Sequence, residues 1–142
     1  MKASQHCIDF IKKFESFSSV PYECSGGKKT IGYGHVIQDG EKLSSVSPSL
    51  GNEILKKDIE WVEHALNKDF PSLSQNQFDA LVSFVFNIGH GRFLNSSVYK
   101  FLKINDTEKA IESWKEYTKS NGKTLSGLVR RRDEEIRMFL GA

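Results

Sequence analysis

The sequence predicts an α+β protein with a small β-bearing part near the N-terminus and a larger helical lobe after it. One observation is the glycine-punctuated stretch from Phe17 to Gln38, which is typical of short strands joined by tight turns. The other is the set of apolar residues after Gly40, which recur at helical spacing. The length of 142 residues fits one domain over 1–142, with lobes of roughly residues 1–60 and 61–142 joined by a helix.

One helix is predicted ahead of the sheet. Its apolar residues Cys7, Phe10, Ile11 and Phe14 follow the spacing i, i+3, i+4 and i+7, which places them on one helical face. Ser4 is a suitable N-cap because its side-chain oxygen can accept a hydrogen bond from the first turn. We therefore expect a helix that begins after Ser4 and packs this face into the core.

Two longer helices are predicted after the sheet. Ser47 and Pro48 supply an N-cap and a first helical residue, and the apolar face then continues to about Lys68. Ser74 and Gln77 form a capping box before the second helix, which is apolar on nearly all sides and should be buried at the centre. The apolar face of the first of these helices comprises Leu50, Ile54, Leu55, Ile59, Val62 and Leu66. Shorter helices are expected over residues 97–103, 107–117 and 128–140.

Composition and charge exclude several function classes. Hydrophobic residues make up 38% of the chain, which is too apolar for a disordered protein, and the longest apolar runs are too short to span a bilayer. The net charge is +2, and the run Arg130–Arg132 is followed at once by three acidic residues, which indicates a salt-bridged helix face rather than a nucleic-acid site. The N-terminal residues lack the apolar block of a secretory signal. We expect a soluble monomer with no stable membrane association.

Glu15 is the first candidate for chemistry. It continues the apolar face of the first predicted helix at its C-terminal end, beside Phe14 and Phe17. Loss of hydration and the negative end of the helix dipole both favour the protonated carboxyl, which a general acid requires. The alternative is a solvated glutamate at a frayed helix end.

Cys24 and Thr30 are the next candidates. Turns around Gly26 and Gly27 would return the chain towards the helix end, where a thiolate or hydroxyl would position or activate a water molecule. Alternatively, Cys24 is a nucleophile with His35 as its base, or the two candidates are a small buried thiol and a strand threonine.

No motif in the sequence indicates a metal or another cofactor. Gly32-Tyr33-Gly34 lacks the third glycine of a dinucleotide-binding loop, and two cysteines are too few for a zinc site built on cysteine pairs. The four histidines form no i, i+4 pair; they are His6, His35, His64 and His90. We therefore expect no cofactor.

Three separated motifs resemble those of a known family. The chain carries Phe14-Glu15, then Cys24, then Thr30-Ile31-Gly32-Tyr33-Gly34-His35, followed by residues 73–84 with Asn87-Ile88-Gly89, and finally residues 125–132. In this order they resemble the phage-type lysozymes, the muramidase endolysins of glycoside hydrolase family 24. The resemblance covers nearly the whole chain and implies a lysozyme-like fold.

The resemblance implies hydrolysis of the β-1,4 bond between N-acetylmuramic acid and N-acetylglucosamine in bacterial peptidoglycan, with inversion expected. Glu15 would be the general acid and Thr30 would hold the water or the sugar on the opposite face. Cys24 stands where the more familiar pattern has an aspartate, and as a thiolate it would stabilise the cationic transition state or act as a nucleophile. The family pattern also places four substrate-binding residues in the cleft: Val36, Phe86, Asn87 and Ser96. A cationic residue from the run 130–132, Arg131 above all, would reach Glu15.

Further expectations follow from the same resemblance. The protein would accumulate in the cytoplasm of the bacterial host and act on the wall after the membrane is permeabilised, causing lysis. Some similar endolysins are held inactive by a disulfide at the active-site cysteine; we favour a buried free thiol at Cys7 over a Cys7–Cys24 lock. A lytic transglycosylase is the rival enzyme, since it uses one glutamate and no water-positioning partner. An inactive peptidoglycan-binding module is the rival outside enzymes.

Overall fold

A helix and a small sheet open the computed structural model, which describes residues 1–23 and 27–142. Helix α1 spans Gln5–Glu15, and the Ser4 hydroxyl oxygen caps it by accepting the N–H of Cys7. Its buried face contains the predicted Cys7, Phe10 and Ile11, whereas Phe14 is half-buried near the helix end. The predicted cap and apolar face are thereby confirmed.

Three antiparallel strands follow in the order in which they occur in the chain. They are β1 (Ser18–Glu23), β2 (Lys29–Gly32) and β3 (His35–Val36). Ser18 pairs with Gly32 across the first ladder, and Thr30 pairs with Val36 across the second. The turn between β2 and β3 is tight because Gly32 and Gly34 both adopt positive φ angles, which glycine tolerates without strain. The predicted small sheet is confirmed.

The next segment departs from its prediction by breaking into two helices. Helix α2 spans Pro48–Asp58 and α3 spans Glu60–Asp69, with Ser47 as the predicted N-cap of α2. The interruption at Ile59 is slight, since its backbone remains near the helical region and its side chain stays in the core. The apolar pattern continues through such a break, so periodicity alone predicted one helix. Leu50 was expected on the buried face and is instead 46% exposed.

A central helix and a series of shorter elements complete the chain. Helix α4 spans Gln75–Ile88, has the predicted Ser74–Gln77 capping box, and is buried on most sides. The elements after it are α5 (His90–Leu94), α6 (Ser97–Lys103), α7 (Thr107–Trp114), β4 (Lys119–Ser120), β5 (Lys123–Thr124) and α8 (Ser126–Leu140). Helix α8 packs along α4. These elements confirm an α+β fold with a small N-terminal sheet and a helical lobe.

In this region the sequence prediction placed two helix boundaries wrongly and missed two elements. Helix α7 ends at Trp114 rather than Tyr117, and α8 begins at Ser126 rather than Leu128. The hairpin β4–β5 and the short helix α5 were not predicted. The hairpin turn consists of Asn121 and Gly122, both at positive φ, which is the residue pair that a two-residue β-turn favours.

Helix α1 precedes the sheet in sequence but is joined to the later helices. The Ser4 N–H donates to Asp79 Oδ1 at 3.0 Å, and the Ser4 hydroxyl donates to Asp79 Oδ2. Lys13 Nζ lies 2.6 Å from Glu134 Oε1 on α8. These contacts hold α1 against α4 and α8. The lobe boundary near residue 60 stays a prediction.

Cys7 lies in the core between α1 and α4. Its side chain is fully buried as a free thiol, and Sγ donates to the carbonyl oxygen of Asp79 at 3.4 Å. Burial, reinforced by the charge of Asp79, raises the pKa of the Cys7 thiol well above its ordinary value. A thiol in this state is unreactive, which agrees with the expectation of a buried free cysteine.

Candidate active site

A cleft of about 610 Å³ lies where the end of α1, the sheet, α2, α3 and the end of α4 meet. It contains Glu15 and Thr30 together with Val36, Phe86 and Asn87, so the structure brings five predicted site residues to one place. Among the remaining lining residues, His35 was considered as the alternative base for Cys24. The others were not singled out by the sequence: Tyr22, Gly34, Gln38, Asp58 and Trp61. Cys24 lies outside the described residues.

Ser96 is not among the residues that line this cleft. It is buried at the start of α6, where its hydroxyl accepts the N–H of Tyr99 at 3.1 Å and donates to the carbonyl of Phe93 at 2.6 Å. The hydroxyl of Ser96 therefore serves as the N-cap of a helix. A serine directly before an apolar helical segment is the sequence signal that points to this role.

Glu15 is the last residue of α1, and its side chain is only 18% exposed. Its Oε1 lies 3.5 Å from Nη1 of Arg131, which reaches it from α8. The expected contact between Glu15 and the arginine run is thus confirmed. Arg131 is itself buried, so the ion pair fixes the direction of the carboxyl group within a partly dehydrated part of the cleft.

Thr30 lies on β2, in the same cleft as Glu15. It is 2% exposed, and its Oγ1 donates to the carbonyl oxygen of Lys28 at 3.2 Å. A hydroxyl has one hydrogen to donate and two lone pairs with which to accept. Because the hydrogen is engaged with Lys28, the oxygen remains an acceptor and can orient an O–H group of water or sugar.

A buried ionic network on α8 lies behind the cleft. The Glu135 carboxylate is fully buried; its Oε1 lies 2.9 Å from Arg132 Nε, and its Oε2 lies 3.3 Å from Arg131 Nε. Ser83 donates to Oε2 at 2.6 Å, and the Trp114 indole N–H donates to Oε1 at 3.1 Å. The arginine run does form salt bridges within its helix, but two of its three members are buried rather than solvated.

This network also positions Asn87. Arg132 Nη2 donates to Asn87 Oδ1 at 2.8 Å. Burial lowers the pKa of Arg132 to about 10, although Glu135 partly offsets this effect, so the guanidinium stays charged at neutral pH. One helix therefore holds two cleft residues, Glu15 through Arg131 and Asn87 through Arg132.

His35 is engaged by carboxylates on both sides of its ring. Nδ1 lies 2.7 Å from Asp58 Oδ2, and Nε2 lies 3.0 Å from Glu41 Oε1. Both ring nitrogens are thus occupied, which argues against His35 as a base for Cys24. The contacts connect β3 to α2 and to the loop after β3.

Residues 12–135 match the family model described as phage lysozyme. This chain belongs to the phage lysozyme family. The endolysin of Acyrthosiphon pisum secondary endosymbiont phage 1 is 34% identical, and the match covers 100% of both chains. The endolysin of Bacillus phage PZA is 37% identical over 98% of this chain and 55% of its own, so this chain spans about half the length of that relative.

Solved structures agree with this family assignment. The muramidase domain of SpmX from Asticaccaulis excentricus superimposes with a TM-score of 0.86 at 33% identity, covering 98% of this chain and 97% of that one. In this phage lysozyme family member, no helix of the described part is both long and apolar enough to cross a membrane. Within residues 1–23 and 27–142, potential metal ligands do not gather in groups of three or more.

The His35 contacts predict a dependence of stability on pH. Burial by itself would lower the pKa of His35, but the hydrogen bonds and charges of Asp58 and then Glu41 outweigh it, and the pKa is raised. The folded protein therefore binds this proton more tightly than the unfolded chain does. The stabilisation is complete below about pH 6.5, the ordinary histidine value, and is lost as pH rises through the higher folded-state value. Urea unfolding at pH 6 and pH 9 should show this decline.

The matched variant for this experiment is His35→Gln, which keeps a hydrogen-bonding side chain and removes the titration. Its stability should vary less between the two pH values than that of the parent protein. His64 is exposed and is not paired with a carboxylate in the described contacts, so His64→Gln serves as the control. An unchanged pH dependence in His35→Gln would contradict the prediction.

Gly34 leaves room for the carboxyl group of Glu15. A Cβ at position 34 would lie 3.1 Å from Glu15 Cδ, and the φ angle of +79° is unfavourable for alanine. We expect Gly34→Ala to displace the carboxyl group of Glu15 and to lower the free energy of unfolding, measured by urea denaturation, by about 1–2 kcal/mol. Gly40→Ala is the control, since Gly40 has a φ of +85° and, among the described residues other than its chain neighbours, no atom lies within 4 Å of the place that its Cβ would take. An equal loss of stability in the two variants would contradict the displacement.

Proposed function

We propose that this protein is a peptidoglycan hydrolase of the muramidase type, which cleaves the β-1,4 bond between N-acetylmuramic acid and N-acetylglucosamine. The observation that carries the proposal is the placement of Glu15, fixed by Arg131, in one cleft with Thr30. Membership of the phage lysozyme family and the name endolysin borne by its relatives support the same reaction.

In the proposed reaction Glu15 is the general acid. Its carboxyl proton passes to the glycosidic oxygen as the bond from that oxygen to C1 breaks, and positive charge develops at C1. Water adds to C1 and releases its proton to the solvent, which leaves two sugars with free hydroxyl groups, and the Glu15 carboxylate takes up a proton from the solvent before the next cycle. The Thr30 oxygen accepts a hydrogen bond from this water, so that a water lone pair is directed at C1. Attack from the face opposite the leaving group gives inversion.

Cys24 is the third proposed catalytic residue. As a thiolate it would stabilise the cationic transition state or act as a nucleophile on the sugar. The first role gives the inverted product directly, whereas attack by sulfur followed by water gives retention. Proton magnetic resonance of the first-formed anomer separates the two roles.

The remaining cleft residues are proposed to hold the sugars. Val36 on β3 and Phe86 near the end of α4 both line the cleft, and these two side chains offer apolar contact to the sugar rings. Asn87, oriented by Arg132, offers an amide to an acetamido or hydroxyl group. We further propose that the protein acts as a monomer, that it binds no nucleic acid, and that it reaches the wall after the host membrane is permeabilised.

Product analysis in water enriched in the heavy oxygen isotope tests the reaction. Purified peptidoglycan is digested, and the released fragments are identified by mass spectrometry. Hydrolysis predicts disaccharide products that carry the heavy isotope at the new reducing end. Anhydro-sugar products without the label would instead establish a lytic transglycosylase. An absence of products together with retained wall binding would overturn the enzyme and favour a binding module.

A further inference from the structure

Trp61 is 42% exposed although it lies on a helix that packs against the core. The core face of α3 consists of Val62 and Leu66. Trp61 belongs to a different face, which it shares with His64, Ala65 and Lys68 at the spacing i, i+3, i+4 and i+7. Core packing therefore does not account for a tryptophan at this position.

The indole of Trp61 stands where two depressions meet. It lines the catalytic cleft, and it also lines a second depression of about 670 Å³ between α3 and α5, which we call the outer groove. The other residues of the outer groove are Glu60, His64, Ala65, Lys68, Asp69, His90 and Leu94. The Trp61 and His90 rings make an edge-to-face contact with centroids 5.5 Å apart, which restrains the indole.

We propose that the outer groove is a subsite for the glycan strand where the strand leaves the catalytic cleft, with Trp61 stacked against a sugar ring. The inference rests on the proposed function, because it takes the cleft to hold a glycan. A strand cut at an internal bond extends beyond the cleft, and Trp61 lines both the cleft and the outer groove. The occupant is therefore a continuation of the same polymer.

The chemistry of the outer groove suits a sugar. A pyranose ring has a face of C–H groups, which packs on an aromatic ring, and an edge of hydroxyl and acetamido groups, which forms hydrogen bonds. Trp61, Ala65 and Leu94 supply the apolar contact, and His64 and Lys68 supply polar groups beside it. The outer groove also contains the carboxylates of Glu60 and Asp69, and Asp69 accepts a hydrogen bond from the Tyr99 hydroxyl at 3.1 Å.

Binding of soluble glycans of different length tests the proposal. The probes are peptide-free tetrasaccharides and octasaccharides prepared from peptidoglycan, and calorimetry gives Kd in a Glu15→Gln background that prevents cleavage. We expect Trp61→Ala to weaken binding of the octasaccharide by about five- to tenfold and that of the tetrasaccharide by less than about twofold. Trp61→Phe should restore most of the difference. Leu94→Ala, on the opposite wall, should weaken octasaccharide binding in the same direction.

Leu50→Ala is the matched control, since Leu50 is an exposed apolar residue on α2 outside the outer groove. If Trp61→Ala weakens binding of the tetrasaccharide and the octasaccharide equally, Trp61 contacts the glycan in the cleft alone and the proposed subsite is overturned. It is also overturned if the variant weakens binding of neither glycan. A loss seen only with peptide-bearing glycans would assign the outer groove to the stem peptide and also overturn the proposal. Length-dependent binding by a protein that releases no hydrolysis products would contradict the proposed function and leave the subsite in place.

Discussion

Replacement of Glu15 by glutamine is expected to lower the rate of peptidoglycan cleavage by about a hundred- to ten-thousand-fold. The amide has the shape of the carboxyl group, and its oxygen can still accept a hydrogen bond from Arg131, but it has no acidic proton for the leaving oxygen. Binding to purified wall should therefore persist. Release of soluble reducing sugars gives the rate, and sedimentation with the wall gives the binding.

The control for this variant is Glu53→Gln, which changes an exposed carboxylate on α2 whose side chain is 69% exposed. Its rate should equal that of the parent protein. Full activity in Glu15→Gln would show that Glu15 takes no part in the reaction and would contradict the general-acid mechanism for this cleft. A parallel loss of rate and wall binding would instead indicate that Glu15 is needed for the structure of the site.

Replacement of Glu135 by glutamine should cause the largest loss of stability, about 3–5 kcal/mol in the free energy of unfolding. Glu135 is the carboxylate that two buried guanidinium groups share, those of Arg131 and Arg132. The substitution removes the shared carboxylate, so that buried Arg132 loses its ion pair and buried Arg131 keeps only its pair with Glu15. Urea unfolding followed by circular dichroism measures the loss. The cleavage rate should fall as well, since these arginines hold Glu15 and Asn87.

The adjacent residue provides a control on the same helix. Glu134 lies at the surface, with its side chain 30% exposed, and pairs with Lys13 and Arg130. Glu134→Gln should cost less than about 1 kcal/mol because water replaces a surface ion pair at little expense. If Glu134→Gln and Glu135→Gln lower the free energy of unfolding by similar amounts, burial does not determine how much the ion pairs of Glu135 contribute to stability.

The sequence predicted the elements that local signals specify. Ser4 and the Ser74–Gln77 box mark helix starts because their side chains satisfy backbone groups within one turn. The Asn121-Gly122 turn is a local signal of the same kind, although the hairpin around it was not predicted. The break at Ile59 could not be predicted from periodicity, because its side chain keeps its place in the apolar pattern.

The site was harder to predict because it depends on contacts between distant segments. The motif pattern correctly predicted that Glu15 and Thr30 lie in one cleft, and that Arg131 contacts Glu15. The sequence carries no signal that Glu135 is buried, since an acidic residue near three arginines usually lies on a solvent-exposed helix face. The sequence does carry a signal for Trp61, because this tryptophan lies outside the apolar face of its helix, where core packing does not account for it.

The ion pair between Glu15 and Arg131 has a consequence for the protein during its synthesis. Glu15 leaves the ribosome ahead of Arg131, and α8 is the last of the described elements to be made. A nascent chain that lacks α8 has its acidic residue but not the guanidinium that orients it, and α4 lacks its main packing partner. Polypeptides released by the ribosome before α8 is made should therefore lack an oriented Glu15, and the site should be complete only once α8 has been made and has packed against α4.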